Sequence, residues 1–216
     1  MPPSKNEGHP SHLVSESPVY HTALESVHET AARLLFMTVK WARNIPSFLT
    51  LPFRDQAILL EEGWNELFLL SAAQWAIPLE LGSLLSAISA HPNNGDKMPC
   101  LMADIRTLQD TMSRFNAMQV DATEYACLKA VVLFKPETRG LREMVQVETL
   151  QDQAQLMLGE YTHARFPSQR VRFGRLLLLL PALKAVSARA IEEIFFRRTI
   201  GSIPIERLLC DMFKSS

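Results

Sequence analysis

Zinc chemistry needs imidazoles and carboxylates one helical turn apart, and the sequence comes nearest to that near its start. His28-Glu29-Thr30-Ala31-Ala32 opens like a zinc-protease helix, but Ala32 stands where the second imidazole must lie to complete the ligand pair. His21, Glu25 and His28, spaced four and three apart, would share a helix face and suit a tetrahedral ion. The same spacing serves solvated polar residues beside an apolar stripe, and no metal is expected there. Cys100, Cys127 and Cys210 are odd in number and far apart, so they form neither a disulfide framework nor a ligand set, and a reducing compartment fits them. There is no glycine-rich phosphate loop, no Gly-x-Ser-x-Gly elbow and no cysteine convincingly matched with a histidine. Neither an enzyme nor a cofactor is expected.

Composition narrows the classes further. A single domain of 216 residues buries roughly 70% of its unfolded surface, enough for one core. With 47% hydrophobic and 21% charged residues the chain reads as globular. Its 22 basic and 23 acidic residues leave a net charge of -1, with no basic face for a phosphate backbone, so DNA contact is not expected from this segment. The longest apolar run, Leu176 to Val186, is interrupted by Lys184 and falls short of the roughly 20 residues of a membrane span. Residues 1–17, rich in Pro, Ser, His and Gly without a signal-like apolar stretch, read as a disordered lead-in to one domain over 18–216.

The elements that would position any site are helical. Apolar residues from Leu24 to Ile45 recur every three or four positions and predict a long amphipathic helix ending near Asn44, before Pro46. From Pro52 to Ala76 the chain is apolar on nearly every side, which predicts a central helix opened by a proline. Pro78, Gly82 and the run from His91 to Asp96 predict mainly loop between Ile77 and Pro99, with at most a short hairpin or one helical turn. Helices are predicted again at Leu101 to Phe115, after the capping Asp121, over Val147 to Arg165, and over Phe173 to Arg197 with a bend at Pro181. Strand-like alternation nowhere exceeds a few residues, so the expected fold is all-α, three layers of antiparallel helices. The last helix, from Pro204 to Lys214, gathers Ile205, Leu208, Leu209, Met212 and Phe213 on one face, a pattern that suits a helix docking into a groove.

Three segments carry a family resemblance. Phe36-Met37-Thr38-Val39-Lys40-Trp41-Ala42-Arg43, followed by Ile45-Pro46-Ser47-Phe48 and by Leu51 to Trp64, resembles the signature of nuclear-receptor ligand-binding domains. Arg172 to Leu183 is similar to the dimerisation helix of the retinoid X receptor group, and Leu208 to Phe213 to the activation helix. Within the family, Leu24 to Phe36 and Gln74 to Pro78 most resemble the tailless group and its photoreceptor-specific relative.

The resemblance implies a nuclear, DNA-linked regulator whose zinc DNA-binding module would lie upstream of this segment. It implies a coregulator groove built from Val39, Arg43, Gln56, Ala57, Leu60 and Glu61, in which Arg43 would cap the carbonyl end of a docked helix. Glu61 stands where the family carries a second basic residue, which disfavours ordinary coactivators. The activation helix, with Ile205, Leu208, Leu209, Asp211, Met212 and Phe213, would fold into that groove and repress the domain, leaving an atrophin-type corepressor as partner. Trp75 replaces the arginine that anchors ligand carboxylates in retinoid receptors, and with Phe68 and Leu69 it is expected to fill the pocket in place of a hormone. Leu176, Leu177 and Leu180 would form a homodimer face. The competing expectation is a ligand-activated receptor that recruits coactivators.

Overall fold

The computed structural model describes residues 26–89 and 95–215, the Ala87 side chain excepted, and among them every regular element is a helix. The chain runs α1 (Val27–Arg43), α2 (Pro46–Leu49), α3 (Phe53–Gln74), α4 (Leu81–Ser89), a 3-10 turn (Gly95–Lys97), α5 (Met98–Ala117), α6 (Ala122–Leu133) and α7 (Met144–Arg165). It continues through α8 (Arg172–Leu179), a 3-10 turn (Leu180–Lys184), α9 (Ala188–Ile191), a π turn (Glu192–Phe196), α10 (Arg197–Ile200) and α11 (Ile205–Lys214). The expected lead-in, and His21 and Glu25 of the zinc spacing, lie outside the described residues.

Local sequence explains the starts and stops. Ser26 and Asp121 each form a capping box with the glutamate three residues on, Glu29 and Glu124, so two orphan donors at each helix start are satisfied. Gly201 sits at φ +60° and ψ -125°, a conformation L-residues avoid, and it ends α10. α3 buries residues on all sides, among them Leu59, Trp64, Leu67, Phe68 and Leu70. It is the middle of the sandwich: α1, α5, α6 and α11 all pack on it, α7 lies on α6, and α8 on α7.

Two expectations need correcting. Between Ile77 and Pro99 the chain forms the helix α4, because Leu84 and Ile88 bury themselves in the core one turn apart and Gly82 is tolerated in the first turn. The stretch from Phe173 to Arg197 is not one bent helix. Pro181 converts the end of α8 into 3-10 geometry, Ser187 recaps a new helix through the Ala190 N–H, and a π turn follows.

Buried polar groups tie the layers together. Asp55, fully buried on α3, accepts the backbone N–H groups of Arg142 (3.0 Å) and Glu143 (2.8 Å), which serves the start of α7 in place of a local cap. Glu66 of α3 pairs with Lys135 just after α6. Arg172 at the start of α8 grips Glu124 bidentately, Nε to Oε1 at 2.6 Å and Nη2 to Oε2 at 2.7 Å. Its guanidinium also donates to the Met118 and Gln119 carbonyls and stacks on Phe166 with 4.2 Å to the ring centroid. One side chain thereby fixes α8 to the α5–α6 turn.

Lys129 is the group with a cost to check. Its Nζ donates to Gln74 Oε1 at 2.7 Å and lies 5.9 Å from the Trp41 ring centroid, and burial lowers its pKa from 10.5 to about 8. Between those values the unfolded chain binds the proton that the native state has released, so stability rises with pH through that window; the cost is fully present below about 8. Lys129→Met is therefore expected to stabilise the fold at neutral pH, by about 3 kcal/mol at most, and to flatten that rise. Urea unfolding across the window checks it, and a variant no more stable at neutral pH would show that the Gln74 bond offsets the burial.

Candidate coregulator groove

The residues expected to form a coregulator groove lie on the C-terminal half of α1 and the first turns of α3, joined through α2. In α1 the apolar stripe of Leu34, Leu35, Val39 and Ala42 faces inward, and Thr38 within it donates back to the Leu34 carbonyl at 2.8 Å. Pro46 opens the one-turn α2, which drives Phe48 into the core. Leu51 then leads into α3.

α11 lies on this surface, packed against α1 and α3. Ile205, Leu209 and Phe213 are buried in the same apolar cluster as Val39, Phe48 and Leu60, while Leu208 and Met212 stay half-exposed. Phe213 is the anchor at the far end. Its ring centroid is 5.1 Å from that of Phe53 and 6.3 Å from that of Phe48, the latter edge-on, and the Arg43 guanidinium lies 5.4 Å from it. Arg43 is thus spent on the chain's own last helix. Ala57 is half-buried at the groove's edge, and Glu61 and Asp211 are exposed.

Gln56 does not face the groove. It is buried, and its amide donates to the carbonyls of Leu51 (2.7 Å) and Leu49 (3.4 Å), so it holds the α2–α3 corner closed. Nothing in helical spacing reveals this, because the acceptors are backbone carbonyls at the end of α2 and in the connection to α3.

In the interior, Phe68 and Leu69 are buried and Trp75 is not: it sits just past the last turn of α3 with 60% of its surface exposed. The ring that packs beside Phe68 comes instead from the π turn. Phe195 and Phe196 lie 5.2 and 5.1 Å from Phe68, and Trp64 meets Phe196 at 6.0 Å. His28 Nδ1 donates to the Phe195 carbonyl at 3.1 Å, and its Nε2 is buried and without a hydrogen-bond partner. Sequence reasoning missed the two phenylalanines, although adjacent aromatics inside an apolar helix were a visible signal.

On α8, Leu176 is wholly buried and belongs to the monomer's own core, which removes it from any dimer face. Leu177, and Leu180 at the start of the 3-10 turn that follows, are half-buried, and Leu178, 71% exposed, is the leucine that points outward. Among the described residues no group of histidines, cysteines and carboxylates could hold a metal ion, and no helix is long and apolar enough to cross a membrane.

The family model for the ligand-binding domain of nuclear hormone receptor matches residues 15–200. Nuclear receptor subfamily 2 group F member 6 of Mus musculus is 48% identical over 194 residues, which cover 89% of this chain and 50% of that protein. The Homo sapiens member 6 is 48% identical over 194 residues, covering 89% and 48%. Group F member 5 of Danio rerio is 45% identical over 194 residues, again 89% and 48%. The chain therefore spans about half the length of the curated relatives it matches, and these relatives carry group F names rather than a tailless one.

The Phe213 anchor yields a direct check. Phe213→Ala deletes the ring that meets Phe48, Phe53 and Arg43, a loss of about 3 kcal/mol of packing for α11. Amide exchange over 205–214 is expected to speed up roughly a hundredfold while the exchange of α3 stays put. Unchanged exchange would mean that α11 is held by something else.

Proposed function

Since the chain belongs to the nuclear hormone receptor ligand-binding-domain family, we propose that it is the regulatory half of a nuclear transcriptional repressor, closed against coactivators by its own last helix. The observation that carries this reading is α11 lying on the groove with Phe213 against Phe48 and Phe53 and under the Arg43 guanidinium. A coactivator helix needs the same apolar floor and the same cation at its carbonyl end. A tethered occupant competes at high effective concentration and keeps such helices out. Glu61, exposed on the rim, adds an acid where a basic clamp would help them.

The likeness to the tailless group underlies the choice of an atrophin-type corepressor as partner. Its apolar helix would lie along the edge of the closed groove, on Ala57 and on the half-exposed Leu208 and Met212 of α11, since Val39 and Leu60 are already covered. DNA would be held by a zinc module outside this segment. Phe68, Phe195 and Phe196 occupy the interior that a hormone would need, which supports an orphan receptor. Leu178, with Leu177 and Leu180 beside it, supports a homodimer through α8. One observation favours the ligand-activated alternative: the buried His28 Nε2, without a hydrogen-bond partner, would pair with a small polar ligand.

Fluorescence anisotropy of labelled helices separates the readings. The intact chain is expected to bind an atrophin-type helix and not a coactivator-type one; Ala57→Arg should abolish the first, and Phe213→Ala should admit the second. Coactivator binding alone by the intact chain would sink the repressor reading and revive the ligand-activated one. For the dimer, Leu178→Arg is expected to convert the species seen by light scattering to monomer, and a variant that stays dimeric would move the interface elsewhere.

A further inference from the structure

The C-terminal helix is a charge-mismatched occupant of its groove. Glu206, in its first turn, lines a cleft of about 820 Å³ together with Glu61 and Glu62 of α3. It also lines a second cleft, of about 460 Å³, with Glu192 and Glu193 of the π turn, and Trp64 forms part of both walls. The start of α11 therefore stands among carboxylates from two other elements. Cations are present, and two are paired with carboxylates of the same clefts: Lys135 with Glu66, and Arg197 with Glu193 at 3.3 Å. Glu137, Arg139 and Lys184 in the first cleft and Arg189 in the second complete the charged lining, so carboxylates outnumber cations in both.

Glu192 reports the mismatch. Burial first, then the Glu206 carboxylate, push its carboxyl above the usual range; Glu193 adds to this, and the Ile205 amide and Arg197 oppose it. A carboxylate near a helix start ordinarily gains from the helix dipole, and here the Ile205 N–H supplies that gain to Glu192, since Pro204 offers no side-chain cap. Glu206 then brings a second negative charge to the same place. Opposite charge at this point would be attractive, and like charge is not.

We propose that the groove prefers a partner helix with a lysine or arginine in its first turn, at the place where the resident helix carries Glu206, and that this preference lets such a partner displace α11. This rests on the reading of α11 as the occupant of the groove. The preference is local: the apolar positions of the partner match Ile205, Leu209 and Phe213, and the first-turn cation meets Glu192, Glu61 and Glu62.

Two measurements test it on the intact chain. Labelled peptides copying residues 202–216, one unchanged and one with Glu206→Lys, are titrated by anisotropy at low salt. The lysine peptide is expected to bind about fivefold to tenfold tighter, with the advantage shrinking at high salt. Equal affinities, or a tighter unchanged peptide, would overturn the preference. In the chain itself, Glu206→Lys is expected to slow amide exchange over 205–214 by a similar factor, although a lysine in the first turn weakens an isolated helix. Adding Glu192→Lys should reverse that gain, and Glu206→Lys without slower exchange would likewise overturn the proposal. Failure of the underlying reading has its own signature: residues 205–214 of the unchanged chain would exchange as a free peptide, and neither labelled peptide would then be competing with a resident helix.

Discussion

A helix that is apolar on every side has to be wrapped, and α3 imposes that constraint on the whole chain. Its buried residues lie around the full circumference, so no single neighbour suffices. α1, α5 and α6 supply most of the cover. The cover over its first turns comes last, from a ten-residue helix joined to the body through Gly201 and the three residues after it. The element that finishes the core is therefore also a short one near the end of the chain, and under the proposed function regulation would act where the wrapping comes last.

Polar burial does the complementary work of fixing where the helices sit relative to one another. Apolar packing alone tolerates sliding, whereas Asp55 reaching two amides ahead of α7, and Arg172 gripping Glu124 and two turn carbonyls, each allow one arrangement. The costs are contained because nearly every member of these groups has partners. Lys129 shows what remains when the partner is a neutral amide: the charge stays possible but is disfavoured.

Helix spacing made most of this legible in advance, and it failed where the spacing itself changes. Residues within a regular helix reveal their face by phase, which is why the inward stripe of α1 and the docking face of α11 are readable from the sequence. Trp75 follows the last residue of α3, where phase no longer applies, and its ring turns to solvent. Phe195 and Phe196 lie in a π turn, whose wider winding lets two consecutive aromatics both face inward. Leu176 and Leu178 look alike in a run of leucines; which one is core and which surface is decided by the tertiary packing of α8 against its neighbours, α7 among them. Gln56 was beyond reach for another reason, since its partners are backbone carbonyls with no signature in residue type.

The stacking of Arg43 on Phe213 has a consequence for how the domain would respond in a cell. In the proposed function one guanidinium would serve either the resident ring, as it does here, or the carbonyl end of a visiting helix. Occupancy by a visitor is then discounted by the fraction of molecules whose groove is open, and that fraction is a fixed property of the chain. Such a device has no threshold of its own. Under the proposed function it would behave as a rheostat, reading the abundance of its partner along a smooth curve whose midpoint is set by how firmly one phenylalanine is seated.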